Sequence, residues 1–243
     1  MLNVVILNYN GREFLKRSIE SVQTQTIKPD NFVVIDNSST DNSWRIAKDM
    51  GVEVCPANNE HQFITGLNAA FSLFSFGHTL FMSNDIFLEE ECLADLLSSP
   101  YDITWPHCYD ENTGFELERG KKTIMTAAFM MKVTTFQKIG PFDTKLAPAY
   151  MEDWDYSIRA RKLGFTLGQS KMGTATHLVS GTFSKAYKKS EISEFCKDHR
   201  IYVIKKHYRG IKREVMLAFT RAIQFLHRKL IALNSRIMVG SSI

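Results

Sequence analysis

The chain has 243 residues, 44 % of them hydrophobic and 23 % charged, with four cysteines. That is enough chain to bury a core without cross-links, and the composition excludes a disordered, fibrous or disulfide-stapled protein. The net charge of +4 is uneven: residues 185–243 carry 14 Lys and Arg against 4 Asp and Glu, whereas residues 1–184 carry 16 against 22, which points to an acidic partner for the C-terminal quarter.

The first apolar run, residues 4–7, follows Met1 at once. It is too short for a signal peptide and lacks the basic start, so it reads as a strand buried on both faces. Residues 12–25 space Phe14, Leu15, Ile19 and Val22 for a helix, and residues 32–35 form the next strand. Ser39 is placed to cap a helix over 40–50 that Gly51 ends. A strand at 52–54, a helix at 62–76 and a strand at 79–82 continue the alternation. This βαβ spacing predicts an α/β fold with a mostly parallel sheet flanked by helices. Later strands are expected at 103–105 and 124–130, a turn around Gly114 and Gly120, and a helix at 152–163 that stops at Gly164. From Glu191 on, two helices broken near Gly210 are expected. Cys55, Cys92, Cys108 and Cys196 lack metal or redox spacing and read as reduced thiols of a cytosolic protein. No stretch of eighteen apolar residues suggests a membrane span.

Polar residues gather where the parallel strands end: Asn8-Tyr9-Asn10-Gly11, Asp36-Asn37-Ser38-Ser39 and Ser83-Asn84-Asp85. Each set alone is ordinary turn chemistry, but three such ends can line one crevice outside the carboxyl edge of a sheet. The first turn has no G-x-G-x-x-G and no Walker loop, which argues against a dinucleotide oxidoreductase or a P-loop ATPase. A nucleotide-sugar site needs hydrogen-bond acceptors for base and ribose, which Asp36 can supply. It also needs a cation for the diphosphate, which Asp85 can hold as Mg²⁺ or Mn²⁺. A second acidic cluster, Glu152-Asp153-Trp154-Asp155, opens a helix whose dipole tolerates it. Asp155 and Arg159 are spaced to pair on the helix surface, leaving Asp153 as the candidate general base. His177 is a lone histidine in a short apolar stretch, and its residue chemistry alone selects no role.

These residues, in this order over about 3–182, resemble the family 2 glycosyltransferases, and most closely their rhamnosyltransferase-like members with a GT-A fold. The shared pieces are the Asn8-Tyr9-Asn10-Gly11 end of strand one, the segment 34–43, Asn59 with Gly66 and Asn68, Ser83-Asn84-Asp85, and Gly140-Pro141-Phe142-Asp143 ahead of Glu152-Asp153. The resemblance implies a GT-A-type Rossmann-like catalytic domain over 1–184 and a basic C-terminal helical extension over 185–243. It implies that Tyr9 and Asp36 contact the base, that Asn10 supports that pocket, and that Asn8, Asn37, Asn59, Gly66, Asn68 and Asn84 complete the nucleotide-sugar site. Asp85 would bind a divalent metal, Mn or Mg, with His177 as a second ligand of metal or diphosphate. Asp153, next to Glu152, would be the catalytic base of an inverting transfer from a UDP- or dTDP-sugar to an acceptor hydroxyl of a saccharide or lipid-linked glycan.

Two departures from the family pattern stand out. Asn84 replaces a possible second acid, and residues 60–65 diverge from the usual Gly-rich segment. Competing functions are glycosyl transfer to a nucleic-acid base, and a nucleotide-sugar-binding or nucleotidyl-transfer protein without glycosyl transfer. The poor Gly11-Arg12 match to a triphosphate loop and the intact Glu152-Asp153 rank the last two below transfer. Residues 211–233 project as an amphipathic helix with Ile211, Val215, Ala218, Phe219, Ala222, Phe225, Leu226 and Leu233 on one face. That face can dock on the catalytic core, lie on an anionic membrane, or accompany an electropositive nucleic-acid surface. The expected location is cytoplasmic, with the membrane reading placing the protein peripherally at an inner face.

Overall fold

The computed structural model describes residues 1–57, 63–117, 123–178 and 187–223. Asn59, Gly120 and the part of the 211–233 helix beyond residue 223 therefore lie outside the described residues. The chain divides into two compact units, Met1–Ile192 and Ser193–Ile243.

Among the described residues, eight strands of the first unit form one sheet in the order β3-β2-β1-β4-β7-β6-β8-β5. At its centre is β1 (Leu2–Asn8), buried at every position, as its unbroken apolar run requires. It pairs in parallel with β2 (Asn31–Asp36) on one side and β4 (His78–Ser83) on the other, and β2 pairs in parallel with β3 (Glu53–Pro56). The helices between them are α1 (Leu15–Gln23), α2 (Ser43–Asp49) and α3 (Phe63–Phe71). Beyond β4 the sheet turns mixed. β7 (Ala128–Lys132) runs antiparallel to both β4 and β6 (Ile103–Asp110), and β8 (Leu167–His177) pairs in parallel with β6 and antiparallel with β5 (Ile86–Leu88). The remaining helices of this unit are α4 (Cys92–Ser98), α5 (Val133–Ile139) and α6 (Glu152–Lys162).

Aromatic side chains fill the space between the β4–β7 part of the sheet and its helices. Phe71 stacks on Phe136 with ring centroids 3.4 Å apart, Phe71 meets Phe81 at 4.1 Å, and Phe142 stacks on Tyr156 at 4.1 Å. Phe142 and Tyr156 are essentially sealed from solvent, so truncating either ring would cost about 3–5 kcal/mol. This cluster joins the loop ahead of α6 to the helix itself, and so fixes where the acidic cluster stands.

Several expected elements differ. Ser39 does not cap α2: the helix starts at Ser43 after Asn42 in the left-handed region (φ 62°), and the Ser39 hydroxyl serves the site described below. The strand expected at 124–130 begins only at Ala128. The Ile124 amide, a group a ladder would have used, donates instead to the Ser157 hydroxyl of α6 at 2.9 Å, and the Thr126 hydroxyl is drawn to Glu152 of the same helix. β6 runs on past Trp105 because a register shift between Trp105 and His107 carries the strand over Pro106. The short elements β5, α4 and α5 carry no periodic signal long enough to read.

In the second unit, α7 (Lys189–His207) contributes most of its length, and residues 210–223 form α8. Gly210 separates them with φ 57°, where the sequence places the break. No described helix is long and apolar enough to cross a membrane.

Candidate active site

The register of the parallel strands builds the site. Asn8 and Asp36 are direct partners across β1 and β2, and Leu7 and Ser83 are partners across β1 and β4, which sets Asn84 beside Asn8. Asn8 is fully buried. Its amide nitrogen lies 2.8 Å from Asp36 Oδ1, 2.8 Å from the Ser43 hydroxyl and 3.2 Å from that of Ser39, and its Oδ1 accepts from Asn84 Nδ2 at 2.9 Å. The amide is thus committed to protein partners. Asn8 ties together the ends of β1 and β2 and the residue after β4; the sequence suggested a nucleotide contact for it.

Asp36 is half-buried, and its Oδ2 also accepts from the Ser39 amide at 3.0 Å. A carboxylate oxygen can accept more than one hydrogen bond, so Asp36 keeps capacity for a ligand donor. Asn10, at φ 45°, hooks the loop after β1 to the loop after β2: its amide donates to the Ser39 hydroxyl at 3.0 Å, and its Oδ1 accepts from the Thr40 amide at 2.8 Å. Asp41 closes this corner by accepting from the amides of Arg12 and Ser43, both at 2.9 Å. Burial pushes the Asp41 carboxyl up, but hydrogen bonds from the Ser43 hydroxyl and these amides outweigh it and hold the group below the usual range.

Gly11 is where any side chain would fail. A Cβ there would lie 2.1 Å from Asn84 Nδ2 and 2.4 Å from Asn8 Oδ1, so the Asn8–Asn84 bond exists only because residue 11 is glycine. The sequence marks Gly11 only as a turn residue; a glycine three residues after the strand-end Asn8 was the available signal. Asn84 is itself buried, its Nδ2 also 3.4 Å from the Tyr9 carbonyl. Tyr9 stands half-buried on this loop.

From α3, Gly66 faces the same edge: a Cβ there would touch Leu7 and the buried Asn37 at ordinary distances of 3.6 and 3.8 Å. Asn68 turns elsewhere. Its Nδ2 donates to the Phe142 carbonyl at 2.9 Å and its Oδ1 accepts from the Phe142 amide at 2.8 Å, so its amide ties α3 to the loop leading to α6.

Asp85 and His177 meet although 92 positions separate them in sequence. Ile86 pairs with His177 across β5 and β8, and the Leu178 amide donates to the Asp85 carbonyl at 3.0 Å. This brings His177 Nε2 to 3.6 Å from Asp85 Oδ1, a buried oxygen with no hydrogen-bond partner among the described residues. Two ligands on adjacent corners of an octahedral Mg²⁺ or Mn²⁺ stand about 3 Å apart, so the pair would close slightly from 3.6 Å to share a cation. Among the described residues no group of three or more His, Cys, Asp and Glu gathers to hold a metal. A cation here would need its other ligands from phosphate and water, the usual arrangement for Mg²⁺.

The acidic cluster at the start of α6 splits by environment. Glu152 is buried, and its Oε1 accepts from the Thr126 hydroxyl at 2.7 Å. Thr126 precedes Ala127, whose carbonyl accepts from the Ser83 amide at 2.8 Å, so Glu152 is tied to the end of β4 that bears Asn84 and Asp85. Thr126 has no motif signature in the sequence. Asp155 pairs with Arg159 at 2.9 Å as its spacing predicts, but the carboxylate is buried and not on the surface. Arg159 also donates to the carbonyls of Ile139 at 3.0 Å and Pro141 at 2.8 Å, so the pair braces the loop before α6. Asp153 is mostly buried, its Oδ1 accepting from the Trp154 amide at 2.7 Å. Tyr150 (φ 76°) and Met151 (φ 69°) both hold left-handed backbone just ahead of this cluster. With Asn10, Ser38 and Asn42, the described non-glycine residues in that strained region all lie on the loops around the site, where such strain commonly accompanies function.

A sheet with Asn8, Asp36, Asn84 and Asp85 at its strand ends, flanked by His177 and the acidic start of α6, has the architecture of a GT-A glycosyltransferase. The chain belongs to glycosyl transferase family 2, whose model matches residues 3–183. Solved structures agree on the fold. S. aureus TarS 1-349 in complex with UDP-GlcNAc superposes with a TM-score of 0.66 at 16 % identity, covering 90 % of this chain and 71 % of that one. The mannosyltransferase PcManGT from Pyrobaculum calidifontis, in complex with GDP-Man and Mn²⁺, also gives 0.66, at 11 % identity over 98 % of this chain and 80 % of that one. GalNAc-T7 with UDP, GalNAc and Mn²⁺ gives 0.60 at 17 % identity over 73 % of this chain. The chain spans 43 % of the GalNAc-T7 chain and 42 % of a longer TarS chain. No curated protein matches it in sequence.

Proposed function

We propose that the chain is an inverting glycosyltransferase that moves a sugar from a nucleoside-diphosphate donor to an acceptor hydroxyl, using one divalent cation. The observation that carries this reading is the Asp85–His177 pair at 3.6 Å, with its unserved buried oxygen, next to the Asn8–Asp36–Asn84 network. The Mn²⁺ in the PcManGT and GalNAc-T7 structures is consistent with it.

In this reading Tyr9 and Asp36 receive the base and ribose, with Asn10 and Asn37 shaping the loops that hold them and Gly66 leaving α3 close to the strand ends. Asn8 and Asn84 position these groups from beneath. Asp85 and His177 would hold the cation, which supplies positive charge for the departing diphosphate. Asp153 accepts the proton of the acceptor hydroxyl as its oxygen bonds to the anomeric carbon, and the bond from that carbon to the diphosphate oxygen breaks on the opposite face with its electron pair. The anomeric centre is inverted because attack and departure are in line. Glu152, locked by Thr126, keeps the start of α6 in place so that Asp153 faces the crevice.

The test is Asp153→Asn, a change that preserves shape and removes the base. Nucleotide affinity should be unchanged, while turnover falls by about 10²–10⁴-fold. Unchanged turnover would remove Asp153 from the role. Lost nucleotide affinity would make it a binding residue.

A further inference from the structure

Large apolar residues exposed elsewhere in the chain, such as Phe76, Phe115 and Met172, stand apart in sequence, which is ordinary for a folded surface. Helix α8 is different. Ile211 is 84 % exposed, Val215 61 % and Phe219 67 %, with Ile223 continuing the series. Spaced four apart on a helix, they drift along one stripe roughly 120° wide, and Ala218 and Ala222 complete it. The opposite side is already used, since Leu217 and Thr220 are buried and the Thr220 hydroxyl donates to the Met216 carbonyl at 2.8 Å. The helix thus has an inward face and a separate apolar face turned to water.

The surrounding charge is of one sign. Across residues 205–223 stand Lys205, Lys206, Arg209, Lys212, Arg213 and Arg221 against Glu214 alone. Lys212 falls at the Phe219–Ile223 side of the stripe, and Lys205, Lys206 and Arg209 precede the helix in sequence. A partner covering this face must therefore accept bulky hydrocarbon in its middle and offer negative charge at its rim. A second copy of the chain would bring the same positive charge against itself. A nucleic acid would satisfy the cations but leave Ile211, Val215 and Phe219 in water.

We propose that α8 is an interfacial helix that lays its Ile211–Val215–Phe219–Ile223 stripe into an anionic lipid surface, with the flanking lysines and arginines on the headgroups. This does not depend on the donor chemistry and concerns a surface outside the matched family region, which ends at residue 183.

The experiment is flotation of the full chain with phosphatidylcholine vesicles, with and without about one-third phosphatidylglycerol. Two variants accompany the wild type: Ile211→Ser/Val215→Ser/Phe219→Ser and Lys205→Ala/Arg209→Ala/Lys212→Ala. The wild type should float with anionic vesicles and much less with neutral ones, and the bound fraction should fall with added salt. Each triple variant should lose roughly tenfold or more in partition, with its thermal midpoint unchanged because the replaced residues are exposed. Failure of the wild type to bind anionic vesicles would overturn the proposal. So would a serine variant that binds as well as wild type, since cations alone would then suffice. A wild-type dimer that the serine variant converts to monomer would assign the stripe to a second copy instead.

Discussion

Replacing Gly11 with alanine should damage the donor site more than any one-carbon change elsewhere on the first loop. The added Cβ would sit 2.1 Å from Asn84 Nδ2 and 2.4 Å from Asn8 Oδ1, both on buried side chains with no open space to enter. Either the loop lifts or the Asn8–Asn84 hydrogen bond breaks. Overpacking of this kind costs about 1–3 kcal/mol, and a buried amide left without its partner costs about 1–3 kcal/mol more. A total of about 2–6 kcal/mol in a chain of this size lowers the thermal midpoint by roughly 4–24 °C. Nucleotide affinity should fall with it, because Asn8 also holds Asp36. Differential scanning calorimetry and nucleotide titration read the two effects. In an Asn84→Ala background the Gly11→Ala penalty should shrink, since half of the clash is gone. A Gly11→Ala protein with wild-type midpoint and wild-type nucleotide affinity would refute this account of the loop.

Asn84→Asp should weaken nucleotide binding, although it adds a potential metal ligand. A carboxylate oxygen would replace the donor that now lies 2.9 Å from Asn8 Oδ1, setting acceptor against acceptor; tighter Mn²⁺-dependent binding by calorimetry would contradict this. Thr126→Val keeps the shape of the side chain but removes the hydroxyl donor to buried Glu152, which should cost about 1–3 kcal/mol and lower the midpoint by roughly 2–12 °C. An unchanged melting curve would mean that Glu152 does not rely on that bond. Stability should fall as pH drops below about 4. Amide and hydroxyl hydrogen bonds from Thr166 hold Asp102 below its ordinary value of 3.8. At Asp95, burial raises the group, but the amides of Met172 and Gly173 and the Ser170 hydroxyl outweigh it. A carboxyl depressed in the fold contributes stability above its unfolded value and loses it as pH falls through the folded one. Asp102→Asn should therefore flatten the acid limb of a midpoint-against-pH curve; an unaltered limb would contradict the assignment.

The parallel half of the fold was legible because β1, β2 and β4 have buried cores that read as unbroken apolar runs, each followed by polar turn residues. Residue order and strand-end position were enough to bring Asn8, Asp36, Asn84 and Asp85 to one edge. Roles within that edge were not legible, because they depend on which side of a strand end a side chain leaves. Asn8 and Asn68 look like ligand contacts in a motif, yet one is fully buried and the other spends its amide on Phe142. His177 had no local signal at all. Its place opposite Asp85 follows from an antiparallel register between two strands that are remote in sequence, one of them only three residues long. Thr126 was hidden for a related reason: an apolar stretch that reads as strand gives up its first residues to α6, and only the fold reveals the buried carboxylate it serves.

In the proposed mechanism, Asp85 and His177 complete the donor site through a cation. The most direct test of this is calorimetric titration of UDP, GDP and dTDP into the protein, with and without Mn²⁺, for wild type, Asp85→Ala and His177→Ala. One nucleoside diphosphate should bind wild type, and bind more tightly with Mn²⁺; this Mn²⁺ gain should disappear in Asp85→Ala and shrink in His177→Ala. Binding of equal strength with and without Mn²⁺ in all three proteins, or no binding of any of the three nucleotides, would contradict it.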